Sequence, residues 1–300
     1  MKILFMGTPD FSIPSLKCLI ESRHEVVAVV TAPDKERGRG QKISFTPVKE
    51  FALKHHLPVL QPEKLKNNSQ FVEDLKKFDA DLYVVVAFRI LPVEVFSIPS
   101  KGSFNLHASL LPKYRGAAPI QWALINGEEE TGLTTFKLAE KVDTGNIYLQ
   151  EIVEIKPDDN FESLHDRLSE IGSKVVLQTV EMIDGGNYEL KTQNDSLATT
   201  VPKITKEICK IDWNKSATEI HNLIRGLSPI PGAYFEFKEK IIKVYKSEVI
   251  EKNDLNPFQI FQTKVELIIG CGKNALRILR LQQEGKKQMW IEDFLRGFNF

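Results

Sequence analysis

The sequence predicts an α/β fold, in which a domain built on a mostly parallel sheet is followed by a small C-terminal β-barrel. Apolar strand patterns alternate with helical patterns over roughly the first 186 residues, which is typical of a doubly wound sheet. After about residue 206 the chain changes to short strands separated by Gly and Pro turns, which indicates a barrel of the OB type. A length of 300 residues accommodates two such domains.

The first strand is followed by a glycine turn and a helix. The apolar run Ile3–Met6 ends at Gly7, and apolar residues then recur at helical spacing over residues 13–20. A β-branched run, Val26–Val30, predicts a second strand that is buried on both faces. The first turn lacks the G-x-G-x-x-G pattern that lets a pyrophosphate approach the backbone, so a nicotinamide dinucleotide is disfavoured.

A polar segment at residues 31–46 is broken by glycines and becomes basic toward its end, from Arg37 to Lys42. Loops of this length inside a compact domain are commonly functional. The cations predict a flexible arm that closes on an anionic partner such as a nucleic acid backbone. The alternative is a solvated connection whose charges only keep it soluble.

The next two strands lead to polar residues that are candidates for a site. The strand Leu82–Ala87 continues into Phe88–Leu91, whose apolar side chains either line a pocket or complete the core. The strand Ser103–His107 places Asn105 and His107 on one face, because side chains alternate along a strand. The strand then breaks in a segment with Pro and Gly, which marks the edge of an α/β sheet where ligands bind.

An amide beside an imidazole suits acyl-type chemistry. The amide of Asn105 can donate to an oxyanion, and His107 can donate or accept a proton near neutral pH. A strand over residues 132–138 leads into the turn Asp143-Thr144-Gly145, from which Asp143 can orient His107 and stabilise its cationic form. The alternative is that the polar pair only caps its strand and that Asp143 belongs to an ordinary turn.

The remaining patterns complete the two domains. They predict a helix over 117–126, a strand over 146–155, a helix that Asn160 caps and that runs to about residue 183, and a polar linker over 187–206. After the linker they predict a short helix over 217–224 and strands over 233–237, 241–249, 265–269 and 275–281. These strands show no obvious aromatic platform for stacking bases, so mainly backbone contacts with nucleic acid are expected there.

Composition describes an ordinary globular protein, with 42% hydrophobic residues, 27% charged residues and a formal net charge of zero. From residue 207 onward Lys and Arg slightly outnumber Asp and Glu. Three scattered cysteines without a CxxC pair make a disulfide framework or a zinc site unexpected and fit a reducing cytoplasm. The sequence shows no signal-peptide pattern and no apolar run of about 18 residues.

Taken together, the motifs resemble the methionyl-tRNA formyltransferase family. The resemblance covers nearly the whole chain in the family's order, and its joint motifs are specific although each is modest alone. It is carried by Gly7-Thr8-Pro9-Asp10-Phe11, Pro33-Asp34, Gly38-Arg39-Gly40, Asn105-x-His107, Ser109 through Trp122, Asp143-Thr144-Gly145, Ile211-Asp212-Trp213 and Ile220 through Tyr234. The linker and the barrel after residue 252 match least clearly.

The resemblance implies a Rossmann-like formyltransferase domain at residues 1–186, a linker at 187–206 and an OB-like tRNA-binding domain at 207–300. It implies transfer of a formyl group from 10-formyltetrahydrofolate to the amino group of methionine on initiator tRNA, in translation initiation. A cytoplasmic monomer is the family expectation, and no metal is required because the candidate residues have no recognisable ligand spacing.

The resemblance also assigns roles residue by residue. Asn105, His107 and Asp143 become the catalytic trio, in which Asn105 and His107 stabilise the oxyanion and Asp143 holds His107 and helps to remove the amine proton. The folate site is expected at Ser109, Leu110, Leu111 and Pro112, with Phe88, Arg89, Ile90 and Leu91 nearby. Arg39 and Lys42, on the basic loop, become the expected tRNA contacts.

Two alternatives remain at this point. One is another 10-formyltetrahydrofolate-dependent enzyme, acting on an amino sugar or on glycinamide ribonucleotide, because such relatives share the Asn, His and Asp residues. The basic loop, the sequence Ala117-Ala118-Pro119-Ile120 and the C-terminal barrel favour tRNA over these substrates. The other alternative is a non-catalytic RNA-binding protein, which leaves the complete Asn, His and Asp set without a purpose.

Overall fold

The computed structural model describes residues 1–37 and 42–300, and the side chains of residues 1–35 and 44–300. Residue contacts divide the chain into two compact units. The first unit comprises Met1–Gly116, Gly132–Val153 and His165–Thr200, and the second comprises Ala117–Thr131, Glu154–Leu164 and Val201–Phe300. The predicted domain limits at residues 186 and 206 stay a prediction, because the units are interleaved along the chain.

Among the described residues, ten strands and six α-helices precede residue 186. The strands are β1 (Lys2–Gly7), β2 (Glu25–Val30), β3 (Lys35–Arg37), β4 (Lys42–Ser44), β5 (Val59–Leu60), β6 (Leu82–Val86), β7 (Ser103–His107), β8 (Arg115–Gly116), β9 (Glu130–Lys137) and β10 (Ile147–Glu154). The helices are α1 (Ile13–Ile20), α2 (Pro47–Lys54), α3 (Ser69–Lys76), α4 (Val93–Phe96), α5 (Pro119–Ile125) and α6 (Phe161–Gly185).

The central sheet has seven strands in the order β10-β9-β7-β6-β1-β2-β5. The pairs β1–β2, β1–β6, β2–β5 and β6–β7 are parallel, whereas β7 and β9 are antiparallel. The chain leaves β1 toward β2 on one side and returns to β6 on the other. The carboxyl ends of β1, β6 and β7 therefore meet at the switch point where α/β sheets bind ligands.

The turn after β1 is tied to the end of β6. Ser12 Oγ donates to the carbonyl oxygen of Val86 at 2.8 Å, within the buried interior. A Cβ atom at Gly7 would lie 2.8 Å from Ser12 Cβ, so the close approach requires glycine. The glycine turn seen in the sequence thus serves packing at the sheet edge.

Helix α6 begins where the sequence predicts. Asn160 Oδ1 accepts a hydrogen bond from the backbone N–H of Ser163 at 2.9 Å, as an N-cap does. The helix has 25 residues, which corresponds to about 37 Å. Leu168, Val175, Val180 and Ile183 are buried and Ile171 is half-buried, so the predicted amphipathic face is used for packing.

The polar segment after β2 contains two short strands that the sequence did not predict. Strands β3 and β4 pair antiparallel, with Lys35 opposite Ser44. The predicted loop contacts Arg39 and Lys42 cannot be located, because Arg39 and the side chain of Lys42 lie outside the described residues.

The second unit holds an antiparallel sheet. After β11 (Thr200–Val201) and α7 (Ala217–Gly226), its elements are β12 (Ala233–Phe237), β13 (Lys240–Ile250), β14 (Ile260–Gln262), β15 (Leu267–Gly270), β16 (Ala275–Gln283), β17 (Met289–Trp290) and α8 (Ile291–Leu295). The strand order is β12-β13-β16-β15-β14, and β17 adds to β16. The sequence missed β14, β17 and α8, which are only two to five residues long.

Helices α5 and α7 pack against each other within this unit. A Cβ atom at Gly226 would lie 2.7 Å from Ile125 Cγ1, so the two helices approach closely at this glycine. Ser216 and Glu219 form a capping box at the start of α7. Buried apolar residues of α7 and the strands form one core.

The fold class predicted from the sequence is confirmed: an α/β domain on a mostly parallel sheet and a small antiparallel sheet of OB-like type. Over residues 1–37 and 42–300, no helix combines the length and the apolarity required to span a bilayer.

Candidate active site

Asn105 and His107 lie on β7 at the edge where the parallel strands end. Asn105 is half-buried and opposite Val85 of β6, and His107 is 7% exposed and opposite Thr134 of β9. The two side chains share a face of the strand, as alternation requires. Among the described residues no hydrogen bond is recorded for the Asn105 side chain, so its amide is available to a ligand.

The ring of His107 is held from two sides. Its Nε2 lies 2.8 Å from the carbonyl oxygen of Tyr114, and its Nδ1 lies 3.9 Å from Asp143 Oδ2. A carbonyl only accepts, so Nε2 carries a proton. The separation to Asp143 exceeds a hydrogen bond, so the carboxylate acts on Nδ1 through its charge or through a bridging water. The sequence predicted this approach of Asp143 to His107.

Asp143 sits in a turn that the surrounding backbone holds in place. Its φ angle is 55°, in the left-handed region that few non-glycine residues adopt. Its Oδ2 accepts a hydrogen bond from the N–H of Gly116 at 2.8 Å. At Gly145 a Cβ atom would lie 1.6 Å from the carbonyl oxygen of Lys137, so the turn accepts only glycine there. These contacts fix the position of the carboxylate.

Gln193 provides a third support for this turn. Its Nε2 donates to the carbonyl oxygens of Asp143 at 2.9 Å and Gly145 at 2.8 Å. Its Oε1 accepts from Arg115 Nε at 3.1 Å and Nη2 at 2.7 Å. The guanidinium of Arg115, a residue only 9% exposed, also donates to Asp195 at 2.7 Å. We call Gln193, Arg115 and Asp195 the supporting triad.

The sequence did not indicate the supporting triad. Gln193 and Asp195 fall within the segment predicted as a linker, which carries no apolar periodicity. Arg115 offered a weak signal, since it follows the site strand closely and a cation there needs a partner if it is buried. Nothing local to residue 193 indicated its partner 50 residues away.

Two of the four residues in the segment Ser109–Pro112 are buried and stabilise the turn that follows β7. Ser109 is 1% exposed, and its hydroxyl donates to the carbonyl oxygen of Lys113 at 2.7 Å. Leu111 is 3% exposed and belongs to a small cluster with Phe136 and Ile147. Leu110 and Pro112 are half-buried and joined through a backbone with a cis Leu111–Pro112 peptide. Among these four expected folate contacts, the side chains of Leu110 and Pro112 are the accessible ones.

The segment Phe88–Leu91 follows β6 at the same edge of the sheet. Ile90 is 73% exposed and Phe88 is half-buried, whereas Leu91 is 8% exposed and packs in the core. Arg89 donates to the carbonyl oxygens of Pro62 at 2.7 Å and Glu63 at 2.9 Å. Burial lowers the pKa of its guanidinium. Arg89 therefore anchors this segment, while Phe88 and Ile90 present apolar surface.

Comparison with known proteins gives the class. The family model described as formyl transferase matches residues 1–180, and that of the formyl transferase C-terminal domain matches residues 203–299. A solved structure of WlaRD, a sugar 3N-formyl transferase, has a TM-score of 0.70 at 20% identity and covers 96% of this chain and 99% of its own. At that identity the likeness supports the fold alone.

Two curated relatives are more specific. Methionyl-tRNA formyltransferase of Caldanaerobacter subterraneus is 49% identical over 301 residues, covering 100% of this chain and 97% of the relative. That of Flavobacterium johnsoniae is 46% identical over 306 residues, with the same coverage of both chains. The chain therefore belongs to the methionyl-tRNA formyltransferase family. This confirms the resemblance and the enzyme class that the sequence predicted.

Proposed function

We propose that this protein transfers the formyl group of 10-formyltetrahydrofolate to the amino group of methionyl-initiator tRNA, producing N-formylmethionyl-tRNA for translation initiation. The observation that carries the proposal is the arrangement at the end of β7, where the open amide of Asn105 lies beside the His107 and Asp143 pair. Family membership over the full length selects tRNA as the acceptor. No described feature favours an amino sugar or glycinamide ribonucleotide.

10-Formyltetrahydrofolate supplies an activated formyl carbon when it is bound. The amide of Asn105 donates to the formyl oxygen, which gains negative charge as the amine attacks. Donors of this kind contribute roughly 3–4 kcal/mol each in other acyl-transfer enzymes. The Asn105 amide is suited to this because no protein group occupies it among the described residues.

His107 and Asp143 handle charge and protons in this proposal. The Tyr114 carbonyl keeps one proton on Nε2, so a second proton at Nδ1 makes the ring cationic on the side that faces Asp143. The positive ring stabilises negative charge on the formyl oxygen, and Asp143 takes the amine proton, directly or through a water molecule. Asp143 returns this proton to N10 of the folate as the bond between N10 and the formyl carbon breaks, so that tetrahydrofolate leaves. Gln193 is a positioning residue, because it contacts only the backbone of the turn.

The folate ring is proposed to bind between the segments 88–91 and 109–112. The exposed side chain of Ile90 and the half-buried Phe88, Leu110 and Pro112 fit a flat apolar ring, since an exposed large apolar residue at a sheet edge suits ligand contact. The other four residues of these segments, Arg89, Leu91, Ser109 and Leu111, shape the site by holding its backbone. No metal enters the proposed reaction.

The tRNA is proposed to contact the basic loop, through Arg39 and Lys42, and the domain at residues 207–300. The linker is proposed at residues 187–206, and its first half also supports the active-site turn through Gln193. A cytoplasmic monomer completes the proposal. It agrees with a tRNA substrate and with three cysteines that form no disulfide.

The experiment supplies the purified protein with 10-formyltetrahydrofolate and, separately, Met-charged initiator tRNA, free methionine, an amino sugar nucleotide or glycinamide ribonucleotide. Formyl-methionine released from the tRNA is quantified for the wild type and for His107→Ala and Asn105→Ala. Formylation of the charged tRNA alone, reduced at least about 100-fold in both variants, is the expected result.

His165→Ala is the matched control, since His165 is a histidine of the same unit whose ring lies 5.2 Å from the ring of Phe11. It is expected to keep the wild-type rate. Formylation of the amino sugar nucleotide or of glycinamide ribonucleotide in place of the tRNA would show that the substrate is a small molecule. An unchanged rate in His107→Ala would overturn the role of the trio.

A further inference from the structure

A row of three side chains crosses strands β13, β16 and β17 of the C-terminal sheet. Lys246 on β13 is opposite Arg280 on β16, and Arg280 is opposite Trp290 on β17. Residues opposite each other in antiparallel strands project on the same face. Lys246 Nζ lies 5.8 Å and Arg280 Cζ lies 5.5 Å from the centre of the Trp290 ring, which are cation–π distances. We call these three residues the Trp290 surface.

Structural needs do not account for Trp290. Half of it is exposed to solvent, so it contributes little to the core. It occupies the N-cap position of α8 without making a capping hydrogen bond, where Ser, Thr, Asn or Asp would stabilise the helix. An exposed indole ring at a position suited to a small polar residue is available to a partner, and Trp is enriched at interfaces.

The cations of the Trp290 surface are not neutralised by the protein. Within residues 1–37 and 42–300, no ion pair is recorded for Lys246 or Arg280, and Arg280 Nε is buried without a hydrogen-bond partner. Arg277, three residues earlier on the same strand, instead pairs with Glu248 at 2.9 Å and Glu266 at 2.7 Å. Two cations without an ion pair among the described residues therefore lie beside the indole ring.

We propose that the Trp290 surface binds tRNA, with an unpaired base stacked on the exposed part of the indole and neighbouring phosphates contacted by Lys246 and Arg280. This proposal rests on the proposed function, and it specifies which part of the C-terminal domain contacts the tRNA substrate. Aromatic rings flanked by cations suit single-stranded nucleotides, because every base has a face for stacking and every linkage carries a charge. A protein partner would favour a wider apolar area than one ring.

The test measures tRNA binding separately from catalysis. Filter binding of uncharged initiator tRNA gives Kd, and formylation kinetics give kcat and the KM values for charged tRNA and 10-formyltetrahydrofolate. The variants are Trp290→Ser, Trp290→Phe, Arg280→Gln and Lys246→Gln. Serine is chosen because it is a good N-cap, so α8 is retained. Lys210→Gln is the charge control, since Lys210 is exposed and already paired with Glu236 at 3.0 Å.

Trp290→Ser is expected to raise both the tRNA Kd and the tRNA KM at least five-fold, with an unchanged salt dependence, because stacking involves no counterion release. Trp290→Phe should recover most of the affinity. Arg280→Gln and Lys246→Gln should weaken binding and each reduce the slope of log Kd against log salt by about 0.7–0.9. The folate KM and the kcat at saturating tRNA should not change.

Wild-type affinity in Trp290→Ser, or in the double variant of Arg280 and Lys246, would overturn the inference. An equal loss in Lys210→Gln and Arg280→Gln would also overturn it, because overall charge would then explain the binding. Trp290-dependent tRNA binding without any formylation would support the surface while removing the proposed function. Formylation of tRNA at the same rate and with the same tRNA KM in Trp290→Ser as in the wild type would support the proposed function and overturn the role of the surface.

Discussion

Replacing Gln193 by Leu keeps a side chain of similar size and removes every hydrogen bond that the amide makes. Gln193 is 8% exposed, so water cannot readily replace these bonds. The carbonyl oxygens of Asp143 and Gly145 lose their donor. Arg115 loses the oxygen that accepts hydrogen bonds from both its Nε and its Nη2. Asp143 would then be held in its left-handed conformation by fewer contacts.

The expected magnitudes follow from these contacts. A neutral hydrogen bond contributes about 0.5–1.5 kcal/mol net and one to a charged group about 1.5–3 kcal/mol, and bonds that share one side chain do not add fully. We therefore expect the free energy of unfolding to fall by about 2–4 kcal/mol in Gln193→Leu. A displacement of about 1 Å at a reacting group costs up to about 100-fold in rate, so kcat should fall about 10- to 100-fold.

The assay is steady-state formylation of Met-charged tRNA, with urea unfolding of the same preparations. Gln193→Glu separates the two halves of the interaction, because a carboxylate still accepts from Arg115 but cannot donate to the two carbonyl oxygens. It should lose kcat as Gln193→Leu does, and the KM values of both variants should stay within about three-fold of the wild type. Asp195→Asn is the control, since Asp195 contacts the same guanidinium with a side chain that is 80% exposed.

Two results would refute the reasoning about Gln193. One is a folded Gln193→Leu enzyme with the kcat of the wild type, which would mean that the amide does not position Asp143. The other is a fall in kcat no larger than the unfolded fraction at the assay temperature, which would reduce Gln193 to a purely stabilising role. A large effect of Asp195→Asn would transfer the positioning role to the exposed ion pair.

Three further predictions concern other parts of the chain. Gly145→Ala should lower the free energy of unfolding by about 3 kcal/mol or more, because its Cβ would meet a carbonyl oxygen at 1.6 Å; Gly185→Ala, with no atom within 4 Å of its Cβ, should not, as urea unfolding can check. Arg89→Ala should raise the KM for 10-formyltetrahydrofolate about ten-fold and spare the KM for tRNA, since two backbone carbonyls lose their donor; equal changes in both values would contradict this. Burial, and then the charge of Arg225, lower the pKa of His221 below its ordinary 6.5. The unfolded chain therefore binds more protons than the folded chain just below pH 6.5, and stability falls as the pH drops through that value. The fall between pH 7.5 and 5.5 should be smaller in His221→Gln, and an identical fall would rule His221 out as its source.

The longer elements could be predicted because their signals are local. A strand buried on both faces needs a continuous apolar run, and such runs located β1, β2 and β6. The elements that were missed, such as β5, β14 and β17, are two or three residues long. Periodicity cannot be detected over so few residues, and their pairing depends on neighbours distant in sequence.

The Trp290 surface shows the same limit for binding residues. The strands predicted from sequence contained no aromatic platform, because Trp290 belongs to the two-residue strand β17. Only the register of β13, β16 and β17 brings Lys246 and Arg280 beside its ring. Spacing along the chain says nothing about this proximity, since 44 residues separate Lys246 from Trp290.

The sequence by itself determined that Asn105 and His107 share a face at a strand end, because alternation of side chains is a property of the single strand. Tertiary structure decided which partners hold them. Asp143 reaches His107 across 36 positions, and Gln193 reaches the Asp143 turn across 50. Hydrogen bonds between such distant residues leave no periodic trace in a chain. They form only after the core has packed the sheet, because folding then fixes the distances that each bond requires.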